Sequence, residues 1–304
     1  MITRFEHGNV QWVDVERPTV EEVDALTDEF DLGPQAAQEM LAPTAKPRVD
    51  LYAPFLYVVL HFPATRGSGG GSPDHEVDII VGKHFVITVH YETVTALHDF
   101  ARSFETAMLL RRVRGTFHSG HIIFEIAQRL YQSVENELES VEDSVTAIER
   151  SIFDGKEKKM VRPLSNLTRE LLNHKRIIGN QAETLKELEA AGTTLFGAEF
   201  RAYMTRITAL HYRVYSRALM LMDTLSELRN TNDSLLTTRQ NEIMKNLTIM
   251  AFVTFPLTLI SSIFGMNVES FPIVGQPNDF WIIISFMAIV AVTFFMYFKL
   301  KRWF

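Results

Sequence analysis

Between Asn241 and Asn267 the chain places amide and hydroxyl side chains at helical spacing inside an otherwise apolar stretch. Thr248, Ala251, Phe255, Thr258 and Ser262 recur at steps of three and four, which sets them on one face of a helix. Ile249, Phe252, Val253, Leu259, Ile260 and Ile263 take the remainder. Asn241, Met244 and Leu247 prolong the stripe at one end and Asn267 closes it at the other. A symmetric bundle of such helices would enclose a channel with an amide ring at each mouth. Met244 and Leu247 would form an apolar neck able to gate by dewetting, and Phe255 a further constriction. Small and hydroxyl residues also let helices pack closely in lipid, so the stripe alone leaves both uses open.

The elements that must position these residues are membrane spans. From Leu247 to Met266 no residue is charged, and the run FWIIISFMAIVAVTFFMYF, Phe280 to Phe298, is uncharged as well. Each reaches the roughly 20 residues that cross about 30 Å of hydrocarbon. The second run carries only Ser285, Thr293 and Tyr297 as polar groups, too few for the polar stripe of a soluble core helix. Arg239 and Lys245 precede the first span, Lys299, Lys301 and Arg302 follow the second, and the loop from Asn267 to Asp279 has no Lys or Arg. The positive-inside rule then puts both termini in the cytoplasm and the loop outside, in a multi-pass protein of the cell (inner) membrane. The opening MITRFEHGNV has no apolar core of a signal peptide, which agrees with a cytoplasmic N-terminal mass.

Most of the chain lies outside the bilayer. Val10 to Val15, Phe55 to Phe62 and Val77 to Tyr91 read as strands around the helical segments Thr19 to Asp28 and Gln35 to Leu41, so residues 1–118 form a cytoplasmic α/β domain. Residues 119–195 read as a long antiparallel helical hairpin and 196–246 as a stalk helix. In the stalk, Phe200, Met204, Ile207, His211, Val214, Ala218, Leu221, Leu225, Leu228, Asn232 and Leu235 hold a heptad seam, the pattern of a coiled coil. No Pro or Gly separates it from Leu247, so stalk and first span should form one helix. The pore-lining span at 247–266, the outer loop at 267–279, the second span at 280–298 and a basic cytoplasmic tail at 299–304 complete the organisation.

Other chemistry is sparse. Arg66 to Pro73, RGSGGGSP, matches neither GxGxxG nor a phosphate loop and reads as a hairpin linker. There is no HExxH or nucleophile elbow, so an enzyme is not expected, nor is a cofactor. The net charge of −7 argues against nucleic acid, and the absence of cysteine excludes disulfides and thiolate metal sites. Asp74, His75, Glu76 and Asp78 cluster in sequence, His118 and His121 stand three apart, and Glu135, Glu139, Glu142, Asp143 and Glu149 crowd one helix. No third ligand accompanies the histidines, and the acids read as a solvated face.

The run QNEIMKNLTIMAFVTFPLTLISSIFGMN, Gln240 to Asn267, resembles the CorA family of magnesium channels. Its Asn-Glu-x-Met-Lys-x-Leu-Thr beginning, its Pro-Leu-Thr and its terminal Gly-Met-Asn follow the family's order and spacing. Lys46, Pro47 and Arg48 with the apolar strand after them are similar to a second family segment. The resemblance runs from about Asp31 to the end. It implies a homopentameric funnel, a pore lined by the first span, and Gly265, Met266 and Asn267 as the outer filter, with Glu269 an acid at the outer mouth. It also implies passive transport of Mg²⁺, with Co²⁺ or Ni²⁺ as further ions.

The chemistry of that filter can be argued from the ion. Mg²⁺ gives up water reluctantly, so a ring of neutral amide oxygens at Asn267 can hold the hydrated ion through its waters and still release it. Two departures from the family are visible. The stalk begins FRAYMTRITALHYR, with Arg201, Arg206 and Arg213, where the family carries carboxylates that hold regulatory Mg²⁺, and Pro272 is followed by Ile273 in place of a second acid. Reduced sensitivity to closure by cytoplasmic Mg²⁺ is the expectation. A proton-coupled Zn²⁺ transporter of the same superfamily is the nearest alternative, which Met266 disfavours, and a membrane-anchored coiled-coil scaffold or sensor is the alternative of another class.

Overall fold

The structure is a computed structural model that describes residues 1–64, 74–109, 118–266 and 278–301. The linker RGSGGGSP, Asn267 and Glu269 therefore lie outside the described residues. The chain divides into two compact units, Met1–Arg229 and Asn230–Phe304.

The first unit is built on a six-stranded sheet. Its strands are β1 (Ile2–His7), β2 (Val10–Glu16), β3 (Arg48–Tyr52), β4 (Phe55–Pro63), β5 (Asp74–Val81) and β6 (Phe85–His90), in the order β1-β2-β6-β5-β4-β3. Only β2 and β6 run parallel; the other neighbours are antiparallel. The stretch from Val77 to Tyr91 is thus two strands, not one. It folds back at Gly82, where an added Cβ would lie 2.2 Å from the Phe85 ring. β4 is buried along its whole length because helices cover both faces of the sheet, so its sequence is apolar without alternation.

On one face α1 (Val20–Phe30) and α2 (Gly33–Glu39) pack Val23, Leu26 and Ala36 onto Val13, Val15, Tyr57, Val59, Ile80 and Ile87. Thr19 opens α1 with a full capping box to Glu22. The opposite face receives α3 (Thr95–Leu109), whose Phe100 and Phe104 close over Trp12 at ring separations of 4.7 and 5.8 Å. β1, β3 and α3 were not apparent from the sequence.

Three long helices follow: α4 (Ser119–Phe153), α5 (Glu157–Phe196) and α6 (Phe200–Phe264). α5 runs on through Ala190 to Phe196 and stops only at Gly197, whose φ of 86° suits glycine. Tyr131 on α4 donates to Gln181 on α5 at 2.6 Å, and the Gln181 amide donates to the His61 carbonyl of β4, tying helices to sheet.

The heptad seam of α6 is buried from Phe200 to Leu228, and its partners are α4 and α5 of the same chain. Phe200 fills the space left by Gly192 and approaches Gly120. His211 donates from Nε2 to the Ile178 carbonyl at 2.8 Å, satisfying the one polar ring in this part of the seam. Burial holds its imidazolium form down, so the neutral ring is the one that packs.

In the second unit the rest of α6 is joined by α7 (Asp279–Leu300). α6 and residues Phe280–Leu300 of α7 are long and apolar enough to cross a membrane, and their apolar side chains are almost wholly unburied within the chain. That is how a surface meant for lipid or for other copies looks in one protomer.

Candidate functional site

The stripe expected to carry chemistry runs along α6 from Asn241 to Ser262, with Gly265 and Met266 just beyond the helix, and α7 covers part of its circumference. α7 packs at Ile249 and Phe252: Ile249 and Phe298 are buried, and the Phe252 and Phe298 rings lie 6.2 Å apart. At 3.6 residues per turn, Val253, Pro256 and Ile260 share that side, while Met244, Ala251, Phe255, Thr258 and Ser262 point away from it. Exposure is high on the stripe, although Phe252 at 55% and Leu259 at 61% are exposed as well. Met244 is 55%, Leu247 59%, Phe255 73% and Met266 60% exposed, and Asn241, Thr258 and Ser262 are exposed too. Thr248 and Ala251 are half-buried.

The hydroxyls on the stripe have a fixed orientation. Thr248 donates through Oγ1 to the Met244 carbonyl at 2.8 Å, and Thr258 to the Thr254 carbonyl at 2.9 Å. Each proton is used inside the helix, so the oxygen presents only lone pairs to its surroundings. A hydrated cation presents only O–H donors. The two surfaces are complementary without removal of a water.

Thr254, which the sequence reading left off the stripe, behaves in the same way, donating to Met250 at 2.7 Å one turn before Thr258. A threonine four residues before another on the stripe was the available signal for it. Pro256 is inside the helix and brings no N–H, so the turn that carries Phe252 and Phe255 lacks one ladder bond.

α6 ends in a tightened turn. Gly265 donates to the Ser261 carbonyl at 3.0 Å and Met266 to Ile263 at 3.3 Å. A Cβ on Gly265 would stand 3.1 Å from the Ser261 oxygen, so glycine relieves crowding where the chain leaves the helix. The structure brings Gly265 and Met266 to the same end of the stripe as Ser262; Asn267 and Glu269 are outside the described residues.

The other clusters have structural partners. On β5 the pleat separates His75 from Glu76 and Asp78. His75 meets Glu92 at 2.8 Å, whereas Glu76 takes the Thr44 backbone N–H at 2.7 Å and faces His61 at 3.3 Å. Asp78 is fully buried and accepts from Tyr57 at 2.7 Å and Tyr91 at 3.2 Å, and burial, reinforced by the Glu76 charge, pushes its carboxyl well above the usual range.

His118 and His121 cap α4. His118 Nδ1 accepts from Gly120 N–H, and His121 Nε2 lies 2.7 Å from the Tyr203 hydroxyl. Among the described residues no group of three or more His, Cys, Asp or Glu is placed to share a metal ion. Of the acids on α4, Glu135 and Glu142 are held at 2.7 Å by Arg213 and Arg217 of α6, while Glu139, Asp143 and Glu149 are exposed.

Comparison with known proteins agrees with this architecture. The family model described as CorA-like Mg²⁺ transporter protein matches residues 7–302. The cobalt/magnesium transport protein CorA of Thermotoga maritima is 24% identical over 282 residues, 90% of this chain and 77% of that protein. The complete structure of the CorA magnesium transporter from Methanocaldococcus jannaschii superposes with a TM-score of 0.84 at 19% identity, covering 99% of this chain and 93% of that one. The full-length CmaX protein gives a TM-score of 0.75 at 20% identity, over 97% and 89%. Because the family match spans the α/β domain, the long helix and both apolar helices, the chain belongs to the CorA family of divalent cation transporters and is a membrane protein.

Proposed function

We propose that the protein is a channel for hydrated Mg²⁺, formed by a symmetric homo-oligomer in which α6 lines the pore. The observation that carries this reading is the acceptor-only hydroxyl stripe on the side of α6 that α7 leaves uncovered. A membrane anchor has no need of Asn241, Thr248, Thr258 and Asn267 on one line. Five copies is the number that the family resemblance implies. Asn241 and Asn267 place an amide at either end, Gly265 and Met266 let the chain turn into the outer ring, and Glu269 adds charge at the mouth. Met244, Leu247 and Phe255 supply apolar constrictions that close by excluding water.

Both termini are cytoplasmic in this reading, with Lys245, Lys299 and Lys301 on the inner side. The membrane potential then drives influx with about 4.6 kcal/mol per divalent ion at ~100 mV, and no nucleotide is required. Co²⁺ and Ni²⁺ are chemically acceptable cargo because their hydrated ions make the same outward donor contacts.

The test is Mg²⁺ uptake into proteoliposomes with and without a negative-inside potential, beside Asn267→Ala. Potential-driven uptake that the variant loses is the expected result. Zn²⁺ uptake driven only by a pH gradient would replace this reading with proton-coupled zinc transport. A folded, oligomeric protein with no flux would leave a scaffold.

A further inference from the structure

Transport has no use for the polar cluster inside the first unit, where two carboxyls share one face of β5. Asp78 pairs across the sheet with Val59 and Glu76 with His61, so both acids point to the side that α1 and α2 cover. Asp78 is fully buried. Its Oδ2 accepts from the Tyr57 hydroxyl at 2.7 Å and lies 3.2 Å from that of Tyr91, which also reaches the Glu39 carbonyl of α2. Its Oδ1 is sealed from solvent and accepts no hydrogen bond among the described residues.

An ionised Asp78 would leave a charged oxygen dry and unpartnered beside a second carboxylate, which is costly. A proton on Oδ1 removes that charge and turns the orphan acceptor into a donor. Glu76, two residues along the same face, is the acceptor within its reach. The roughly four lone-pair sites of the Glu76 carboxylate are then filled by the Asp78 proton, the Thr44 N–H at 2.7 Å, the Thr44 hydroxyl at 3.1 Å and His61 Nε2 at 3.3 Å. Thr44 belongs to the segment 41–47 between α2 and β3, so Glu76 is what ties that segment to the sheet. The nearest cation besides His61 is Arg48, which is engaged with Glu39 at 2.9 Å and Asp50 at 2.6 Å.

We propose that Asp78 and Glu76 hold one proton between them as a structural ligand, and that its loss frees Thr44 from Glu76 and unclamps the segment 41–47.

The direction of the pH effect follows from linkage. In the clamped form burial and the Glu76 charge raise the Asp78 carboxyl above its ordinary value of about 3.9. A raised group favours the clamped form fully below that ordinary value, and the preference is lost as pH rises through the raised one. Within this window opening releases one proton, so each pH unit favours the open segment by up to about tenfold. His61 acts in the same sense: burial opposes its charge, but Glu76 and the Thr44 carbonyl at 3.0 Å outweigh burial and raise it.

Asp78→Asn separates the two groups. Its amide N–H donates to Glu76 permanently and its carbonyl oxygen still accepts from the tyrosines, so the clamp stays and only the His61 dependence remains. Hydrogen exchange of the amides in 41–47, measured on the full-length protein in nanodiscs and referred to the intrinsic rate at each pH, gives the opening equilibrium. From neutral to alkaline pH the ratio of opening in wild type to opening in Asp78→Asn should grow by up to about tenfold per pH unit; a constant ratio overturns the proposal. Infrared spectra supply the second readout. A protonated-carboxyl C=O band present in wild type at neutral pH and missing from Asp78→Asn is the expected result. Its absence from wild type overturns the proposal even if the variant does not fold.

Discussion

Replacing Thr258 with valine removes one oxygen and almost nothing else. The side chain keeps its β-branch and volume, and the Thr254 carbonyl that received its proton at 2.9 Å retains its place in the helix. What disappears is a lone-pair surface on the exposed side of α6. A hydrogen bond of this kind, made to a water of the hydrated ion, is worth about 0.5–1.5 kcal/mol net. An ion on the axis that touches two copies at once loses about 1–3 kcal/mol, which is roughly 5- to 150-fold in affinity. The half-saturating Mg²⁺ concentration for potential-driven uptake into proteoliposomes should rise by that factor in Thr258→Val. Thr258→Ser keeps both the donor to Thr254 and the outward lone pairs, and should stay near wild type. A half-saturation unchanged in the valine variant, or raised equally in the serine variant, would refute the idea that these hydroxyls serve as oriented acceptors.

Gly192→Ala should destabilise the first unit by about 1–3 kcal/mol, since its Cβ would lie 2.1 Å from the buried Phe200 ring. A lowered unfolding temperature of the purified protein checks this, and combining the change with Phe200→Leu should recover part of the loss. A second expectation concerns pH. Burial opposes protonation of His90, but Nε2 faces Asp14 at 3.4 Å and Nδ1 faces the Glu92 carbonyl at 2.6 Å, so two acceptors favour the doubly protonated ring and the net shift is upward. A raised histidine contributes stability that is complete below its unfolded pKa of about 6.5 and is lost as pH rises through the folded value. The unfolding temperature of His90→Gln relative to wild type should therefore converge as pH is raised above about 6.5. A constant difference across that range would show that the His90–Asp14 pair carries no proton linkage.

Much of this architecture is legible because burial leaves simple patterns. β4 and the two spans are apolar runs of different length, and length alone separates strand from span. The elements that escape notice have weak signals. β3 is an edge strand with no fully buried residue, and α3 anchors through little more than Leu97, Phe100 and Phe104 among polar neighbours. Long-range grips, such as Glu76 on the Thr44 backbone 32 residues away, leave no periodic trace at all.

The hydroxyl stripe of α6 was visible as periodicity, but its exposure was not. α7 is apolar on every side, so its sequence does not indicate which face meets Ile249. The heptad seam of α6 shows the same limit in a more consequential form. A heptad states that a face must be covered and says nothing about what covers it. Here α4 and α5 of the same chain cover it from Phe200 to Leu228. Copies that associate along this part of α6 must therefore use its other side, where Thr205, Thr208, Tyr212 and Met220 are exposed together with Asp223 and Glu227. The arginines in the first part of this helix have partners within the chain: Arg201 and Arg213 pair with Glu189 and Glu135 of the neighbouring helices, so they are engaged in holding the first unit together.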